Sequence, residues 1–260
     1  MSCLFQKPDP YLATARRLRI AVSELKIPGS PDWLKGRTAL FASDFHLLSG
    51  IDPAPIAALM AACGADLILL GGDYADERAQ ALRLFDAFKR LRAPLGIFAV
   101  RGNNDAETFD SSGALLEAMA CFGARLLVNE SIAISCGGGM LRLGGIDECK
   151  YGAPDGRDLF SEADGYRILL SHYPIRPDCA CPPDLMLSGH THGGQFNLLG
   201  LTPYTIGFEQ VGKSGKLAPV TISGSACLGR TTLLVSKGIG TSRIPLRIGV
   251  QPEIHRIRFC

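Results

Sequence analysis

The feature that most constrains this chain is a series of short apolar runs, each ending on polar punctuation rich in Asp, Asn, His and Gly. Ala39–Ala42 leads to Asp44-Phe45-His46, Leu67–Leu70 to Gly72-Asp73-Tyr74-Ala75-Asp76, and Ile97–Val100 to Gly102-Asn103-Asn104-Asp105. Ile168–Leu170 precedes His172, and Leu185–Leu187 precedes Gly189-His190-Thr191-His192-Gly193-Gly194. A buried strand followed by Gly-rich polar residues is how an α/β sheet presents side chains at its carboxyl edge. A chain built this way must fold so that several strand ends meet, and the residues that meet are oxygen and imidazole ligands. Four of its five histidines lie in these motifs; only His255 falls outside, in a terminal strand, where it reads as structural.

The surrounding sequence sets the frame. Helical patterns alternate with the early runs. Pro53–Cys63 has Asp52 as a cap and Pro53 at its first position. Asp76–Arg92 carries Leu82, Phe85, Phe88 and Leu91 at helical spacing, and Ser111–Phe122 is stopped by Gly123. The later half is strand-rich: Arg125–Val128, Ile132–Ser135, Met140–Leu143, Val220–Ser223, Thr232–Ser236 and Ile254–Phe259, with Gly137-Gly138-Gly139 as a hairpin turn. Two packed mixed sheets with helices outside are expected. Residues 1–36 read as an N-terminal edge segment and 37–260 as the body of one domain. Leu18, Ile20 and Val22 alternate, and Leu25 and Ile27 resume after a one-residue slip, which suggests an edge strand with a bulge. The rival reading is a basic amphipathic helix over Tyr11–Leu25, carrying Arg16, Arg17 and Arg19, that touches a membrane.

Composition excludes several classes. At 260 residues, 47% hydrophobic and 20% charged, the chain has the makings of an ordered globular core. A formal charge of +2 provides no electrostatic case for a nucleic-acid surface. Apolar stretches fall well short of the roughly 20 residues of a membrane helix. Met1–Pro10 lacks a secretory layout. Nine cysteines without regular spacing fit a reducing compartment, and Cys179-Ala180-Cys181 reads as ordinary loop thiols; a cytoplasmic location is the expectation.

The motif residues suit a two-metal site. Such a centre requires a bridging carboxylate holding two cations about 3.5–4 Å apart; Asp73 is the candidate. Asp44 and His46, two apart, are expected on one side of their strand, and His190 and His192 share that relation. Asn103 adds a neutral oxygen and His172 a nitrogen. Mixed oxygen and nitrogen ligation without thiolate favours Mn, Fe, Zn, Ni or Co over Ca or Mg, with Mn the choice for assay.

The motif series, in this order and with about 25–30 residues between its first three members, resembles the calcineurin-like metallophosphoesterase superfamily over roughly Thr38 to Gly194. Leu25–His46 (LKIPGSPDWLKGRTALFASDFH), Ser236–Arg247 (SKGIGTSRIPLR) and the GHTHGGQ form ending at Gln195 resemble a bacterial branch, often membrane-associated, that includes UDP-2,3-diacylglucosamine hydrolases and broad phosphodiesterases. The resemblance implies a four-layer αββα sandwich. It implies one metal held by Asp44, His46, Asp73 and His192, and another by Asp73, Asn103, His172 and His190. It also implies hydrolysis of phosphodiester or pyrophosphate bonds, with a nucleotide-diphospho lipid as one substrate type, by in-line attack of a metal-bridging hydroxide. Non-catalytic scaffolding and phosphomonoester or phosphoprotein hydrolysis are the alternatives.

One residue departs from the pattern. Most members carry histidine where this chain has Asn104, and an amide cannot act as the general acid, though it can donate a hydrogen bond to developing charge. The departure implies either a preference for leaving groups stable as anions or a slower enzyme. Arg101 is a candidate for pairing with a substrate phosphate, with a surface role as the alternative. Phe196, Tyr204 and Phe208, in the segment Phe196–Lys216, either form a lip for an apolar substrate part or pin the loop to the core.

Overall fold

The apolar runs become strands because each is short, β-branched or leucine-rich, and bounded by turn residues. In a computed structural model that describes residues 11–109, 111–162, 165–206 and 221–260, the first half comprises β1 (Leu12–Thr14), β2 (Ala21–Ile27), β3 (Thr38–Ala42), α1 (Ala54–Ala62), β4 (Leu67–Leu70), α2 (Arg78–Phe88), β5 (Ile97–Ala99), α3 (Asn103–Thr108), α4 (Ser112–Ala120) and β6 (Ala124–Leu126). The second half comprises β7 (Glu130–Cys136), β8 (Gly139–Gly145), β9 (Tyr166–Leu170), β10 (Leu185–Ser188), β11 (Gly224–Leu228), β12 (Thr231–Val235), β13 (Leu246–Ile248) and β14 (Glu253–Phe259).

Two six-stranded mixed sheets result, in the orders β2-β14-β3-β4-β5-β6 and β11-β12-β10-β9-β8-β7. Within them β3, β4 and β5 run parallel, as do β8, β9, β10 and β12. The ligand-bearing strand ends of each sheet therefore open on one edge. Alternation along the strands sorts the core into layers. Phe41, Leu67, Leu69, Leu143, Ile168, Leu170 and Leu187 fill the space between the sheets. Leu40, Ile68 and Leu70, on the opposite face, receive the helices through Met60, Leu84, Phe85, Phe88 and Met119.

This is the sandwich expected, with a difference in its outermost layer. Among the described residues the outer face of the second sheet, at Leu169, Met186, Leu233 and Val235, is covered by Ile146, Leu159, Phe160, Cys179 and Cys181 from irregular segments, not by helices. The two thiols of the Cys179-Ala180-Cys181 loop are thus packing groups, and burial pushes Cys179 up to about 11.

Several boundaries differ from expectation for identifiable reasons. The N-terminal segment is an edge strand, yet it has no bulge: β2 pairs with β14 in unbroken parallel register from Ala21 to Ile27. Its inward face is Ala21, Ser23, Leu25 and Ile27, so Val22 points outward and Leu18 and Ile20 precede the strand. The helix α2 buries Ala81, Leu84, Phe85 and Phe88, an i, i+3, i+4, i+7 set, which turns Leu82 to solvent. Asp52 accepts from the Ala54 N–H at 3.0 Å, and Ser111 caps α4 through the Ala114 N–H at 3.2 Å. Thr221–Ser223 are irregular, and the strand expected there begins at Gly224. The hairpin between β7 and β8 turns on Gly137 and Gly138, both at positive φ, as a two-residue turn requires. No described helix is long and apolar enough to cross a membrane.

Candidate metal centre

The residues between the ligand candidates explain how the site is aimed. Phe45, between Asp44 and His46, is buried and stacks on Tyr74, which follows Asp73, at 5.8 Å between centroids. Phe85 and Phe88 close on that pair edge-on, and the Tyr74 hydroxyl donates to the Val100 carbonyl at 3.0 Å. With the rings driven into the helix-side core, the flanking Asp and His side chains are left at the strand ends.

Strand alternation is not what brings Asp44 beside His46. The strand β3 ends at Ala42, and both residues have left-handed φ, +53° and +37°. Asp73, His190 and His192 do too, at +56°, +70° and +52°. Non-glycine residues adopt this region at a cost of order 1 kcal/mol each, and clusters of them accompany functional sites. At Asp44–His46 and His190–His192 paired left-handed turns, not a pleat, bring the candidate ligands together.

Supporting contacts hold these turns. Asp105 accepts from the backbone N–H groups of Asp73 (2.7 Å), Gly102 (2.7 Å) and Tyr74 (3.0 Å). Gly102 is required by proximity: a Cβ there would lie 2.0 Å from Asp73 Oδ1. Asp44 accepts from the His190 N–H at 2.9 and 3.1 Å and from Ser43 Oγ at 2.6 Å.

The side chains form two adjoining groups capable of holding cations: Asp44, His46 and His192, and Asp44, Asp73 and His172, all buried. Asp73 Oδ2 lies 3.4 Å from both His46 Nε2 and His172 Nε2. Asn103 Oδ1 lies 3.3 Å from His172 Nε2 and 3.1 Å from His190 Nδ1. His172 Nδ1 donates to the Gly71 carbonyl at 2.8 Å, which leaves its Nε2 directed at Asp73 and Asn103. Inward-facing lone pairs 3–3.5 Å apart are an arrangement that a divalent cation satisfies, so the residues fit metal ions. His192 is held differently: its Nδ1 receives Arg247 Nη2 at 3.1 Å.

The titration pattern fits the same use. Burial opposes charge on His46, but Asp73 and Asp76 push it up to about 10; burial is likewise outweighed at His172, where Asp73 pushes it to about 9. His190 goes the other way, to about 3, through burial and the charge of His172. Burial, with the positive charges of His46 and Arg247, keeps His192 well below its ordinary value. Asp73 sits well below the carboxylate range against its own burial, because His172 and His46 face it. Protons on His46 and His172 therefore face the Asp73 carboxylate where cations would otherwise do so.

A cleft of about 430 Å³ opens over these groups, lined by Asn103, Asn104, His190, His192, Phe196 and Lys150 among others. Asn104 donates from Nδ2 to Asp76 Oδ1 at 2.7 Å, and its Oδ1 accepts from Asn103 Nδ2 at 2.7 Å. Two of the sequence candidates do not line it. Arg101 makes a two-point pair with Asp147 at 2.5 and 2.8 Å, which braces the loop before Gly102. Tyr204 packs with Cys149, Tyr173 and Ile222. Phe208 lies outside the described residues. His255 is buried in β14, with Nε2 3.2 Å from Glu253 Oε1.

Sequence reading missed five contributors. Asp76 accepts from His46 Nδ1 at 2.7 Å. The Tyr173 ring lies over His190 at 3.9 Å, with its hydroxyl donating to Asn103 Oδ1 at 3.2 Å. Lys150 and Arg243 bring positive charge to the cleft. Arg247, fully buried, donates to the Gly240 and Lys237 carbonyls, each at 2.7 Å, as well as to His192. Arg243 and Arg247 lie in the SKGIGTSRIPLR segment, Asp76 and Tyr173 beside ligands; only Lys150 had no local signal.

Comparison with known proteins agrees with this geometry. The family model described as calcineurin-like phosphoesterase matches residues 38–194. The chain is 29% identical to a Bacillus subtilis protein named uncharacterized metallophosphoesterase YkoQ, over 95% of this chain and 93% of that one. It is 30% identical to the Escherichia coli phosphodiesterase YaeI, over 83% and 79% respectively. A Bos taurus protein named transmembrane protein with metallophosphoesterase domain is 30% identical over 74% of this chain and 45% of its own length. The chain belongs to the calcineurin-like phosphoesterase family. It is a metallophosphoesterase, a hydrolase whose buried carboxylates and imidazoles are suited to divalent metal ions.

Proposed function

We propose that this protein hydrolyses phosphodiester or pyrophosphate bonds at a two-metal centre, with Asp44, His46, Asp73 and His192 holding one transition metal and Asp73, Asn103, His172 and His190 the other. The observation that carries this reading is Asp73 Oδ2 at 3.4 Å from a histidine of each group, the position of a bridging ligand. The E. coli relative's name, phosphodiesterase, supports the bond type. When bound, two divalent cations supply Lewis acidity at the phosphoryl oxygens and lower the pKa of the attacking water. Manganese suits this mixed donor set.

The chain's own residues do the positioning. His172 is locked as an Nε2 donor by its bond to Gly71, and His190, held neutral, offers Nδ1 beside Asn103. Asn104 has one amide hydrogen on Asp76 and a second with which to meet charge developing on the substrate. Lacking an acid at this position, the enzyme favours leaving groups that depart as anions, phosphate from a pyrophosphate or an activated phenolate. Phe196 is the substrate-facing ring of the cleft. Nucleic acid is a poor fit to a chain of formal charge +2, and nine cysteines without regular spacing support a cytoplasmic location, with peripheral membrane contact as part of the proposal.

Bis-p-nitrophenyl phosphate with Mn²⁺ tests the reading. Turnover is expected, with loss on chelation and on Asp73→Ala. Undiminished turnover under both treatments would defeat the metal mechanism.

A further inference from the structure

We infer that Arg243 binds a second phosphate of the substrate, carried on the alcohol that stays attached during hydrolysis, and that Gln195 is the positioning residue that presents Arg243 to the cleft. This rests on the hydrolytic reading above and names the class of molecule it acts on: a phosphodiester whose retained alcohol bears a terminal phosphate.

The sequence offers Arg101 for a phosphate contact, but Arg101 is committed to Asp147. Two other cations line the cleft, Lys150 and Arg243. Lys150 is engaged on one side of it: its Nζ lies 3.0 Å from Glu107 Oε1 and 4.7 Å from the centre of the Tyr151 ring. Glu107 follows Asn104 by about one turn of α3, so this pair belongs to the wall assigned above to charge developing on the leaving oxygen. Arg243 comes from a different part of the chain and lines the cleft with Ser242, Ile244 and Phe196. That part of the cleft is left for the group that stays on phosphorus.

The turn that carries Arg243 is strained and firmly held. The Ile244 N–H donates to the Ser242 carbonyl at 2.6 Å, which closes a three-residue turn with Arg243 at its apex, at φ +58°. Glycine would occupy such an apex freely, whereas a side chain there is strained. An outlier of this kind, set at the edge of a candidate active site, points to a binding role. Buried Gln195 clamps the turn. Its Nε2 shares its hydrogens among the carbonyls of Ser242 (3.1 Å), Ile244 (2.8 Å) and Leu246 (3.0 Å), and its Oε1 accepts from the Ser242 N–H at 2.7 Å. The Gln195 N–H donates to the His192 carbonyl at 3.0 Å, and Arg247, just beyond the turn, reaches His192 Nδ1 at 3.1 Å. The segment is therefore tied at both ends to a candidate metal ligand, and Arg243 keeps a set place relative to the centre. A guanidinium offers two parallel N–H donors to an oxyanion. A terminal phosphate can accept both and still has an oxygen for the hydroxyl of Ser242; a carboxylate has only two oxygens.

The test compares ethyl, carboxyethyl and phosphooxyethyl p-nitrophenyl phosphodiesters with Mn²⁺, all with one good leaving group. In the wild type the phosphooxyethyl ester should exceed the ethyl ester in kcat/KM by about tenfold or more, mostly through KM, with a smaller gain for the carboxyethyl ester. Arg243→Gln should collapse the phosphooxyethyl-to-ethyl ratio, and Arg243→Lys should restore part of it. Gln195→Met keeps the length of the side chain and removes its four bonds to the turn. It should lower the ratio as well, and the double variant should fall no further than Arg243→Gln alone. Arg90→Gln, at an exposed position beyond α2, should preserve the ratio. Because the ratio is read within one preparation, a loss of folded protein cancels. A wild-type ratio near one, a ratio that survives Arg243→Gln, or an equal gain from the carboxylate would overturn the phosphate assignment. A ratio untouched by Gln195→Met, or losses that simply add in the double variant, would overturn the role of Gln195. Failure of the hydrolytic reading has a different signature: no ester is cleaved by the metal-loaded protein. Calorimetric binding of phosphooxyethyl against ethyl methylphosphonate then decides the assignment by itself. Tighter binding of the phosphorylated compound by about tenfold or more, lost in Arg243→Gln, supports it, and equal binding rejects it.

Discussion

Between the sheets, side chains such as Phe41, Leu69, Leu143 and Leu170 are wholly buried, apolar and carried on regular backbone. At the ends of the same strands the chain buries Asp44, His46, Asp73 and His172 just as deeply, the first three on left-handed backbone and with like groups facing one another. The interior spends nothing on specific polar geometry and stabilises the fold. The centre is costly in isolation and is held in place by that interior. Stability and chemistry are therefore separable by mutation, although the residues concerned are neighbours: Phe41 is three positions from Asp44.

That separation can be broken most sharply at its two ends. Asp73→Ala should lower hydrolysis per folded molecule by at least about 10³-fold, since it removes the carboxylate that faces both His46 and His172. Phe41→Ala should do the reverse, costing about 3–5 kcal/mol in urea unfolding with activity per folded molecule retained. Gly102→Ala probes the seam between the regions. A Cβ 2.0 Å from Asp73 Oδ1 must displace that carboxylate, so metal content by elemental analysis and activity should fall together, activity by about 10²-fold.

Asn104→His should raise kcat/KM about tenfold for an alkyl phosphoester, near the low end of general-acid effects, and change a p-nitrophenyl diester far less. Equal changes for both would show that position 104 does not stand where an acid acts.

The histidine pattern predicts a pH effect. His46 and His172, raised to about 10 and 9, carry protons near neutrality before a cation binds. The stability those protons lend the metal-free fold is complete below the ordinary histidine value of 6.5 and is lost as pH rises through 9 to 10. Metal must displace them, so apparent affinity should climb with pH, and loading near pH 7.5 should release about two protons, measurable by calorimetry in buffers of different ionisation heat. The smallest effect concerns Glu253, lowered to about 2 against its burial by His255 and Lys237. It stabilises above about pH 4.5 and ceases to as pH falls toward 2, so Glu253→Gln should flatten the acid limb of stability.

How much could be read beforehand follows from which forces are local. The five strands, the helix starts near Asp52 and Ser111 and the Gly137–Gly138 turn depend on neighbours within a few residues, and the sequence shows them. The family motifs likewise name Asp44, His46, Asp73, Asn103, His172, His190 and His192 as the residues that meet. Register was less legible: one apparent slip at Val22 suggested a bulge, when β14, more than two hundred residues away, sets an unbroken register with Ser23 and Leu25 facing in. The roles of Arg101 and Tyr204 were open for the same reason. Asp147 and the Cys149–Tyr173–Ile222 group that receive them are distant in sequence.

The sequence by itself determined the order of elements, the two-sheet class and the chemical identity of the candidate ligands, because periodicity and motif spacing are written in adjacent residues. Tertiary structure alone decided how those ligands converge. Left-handed turns at Asp44, His46, Asp73, His190 and His192 are locally unfavourable. They persist because Asp105 holds the backbone beneath Asp73, Phe45 and Tyr74 anchor the intervening positions, and Arg247 fastens His192 from the far end of the chain. No short stretch of sequence contains those partners together.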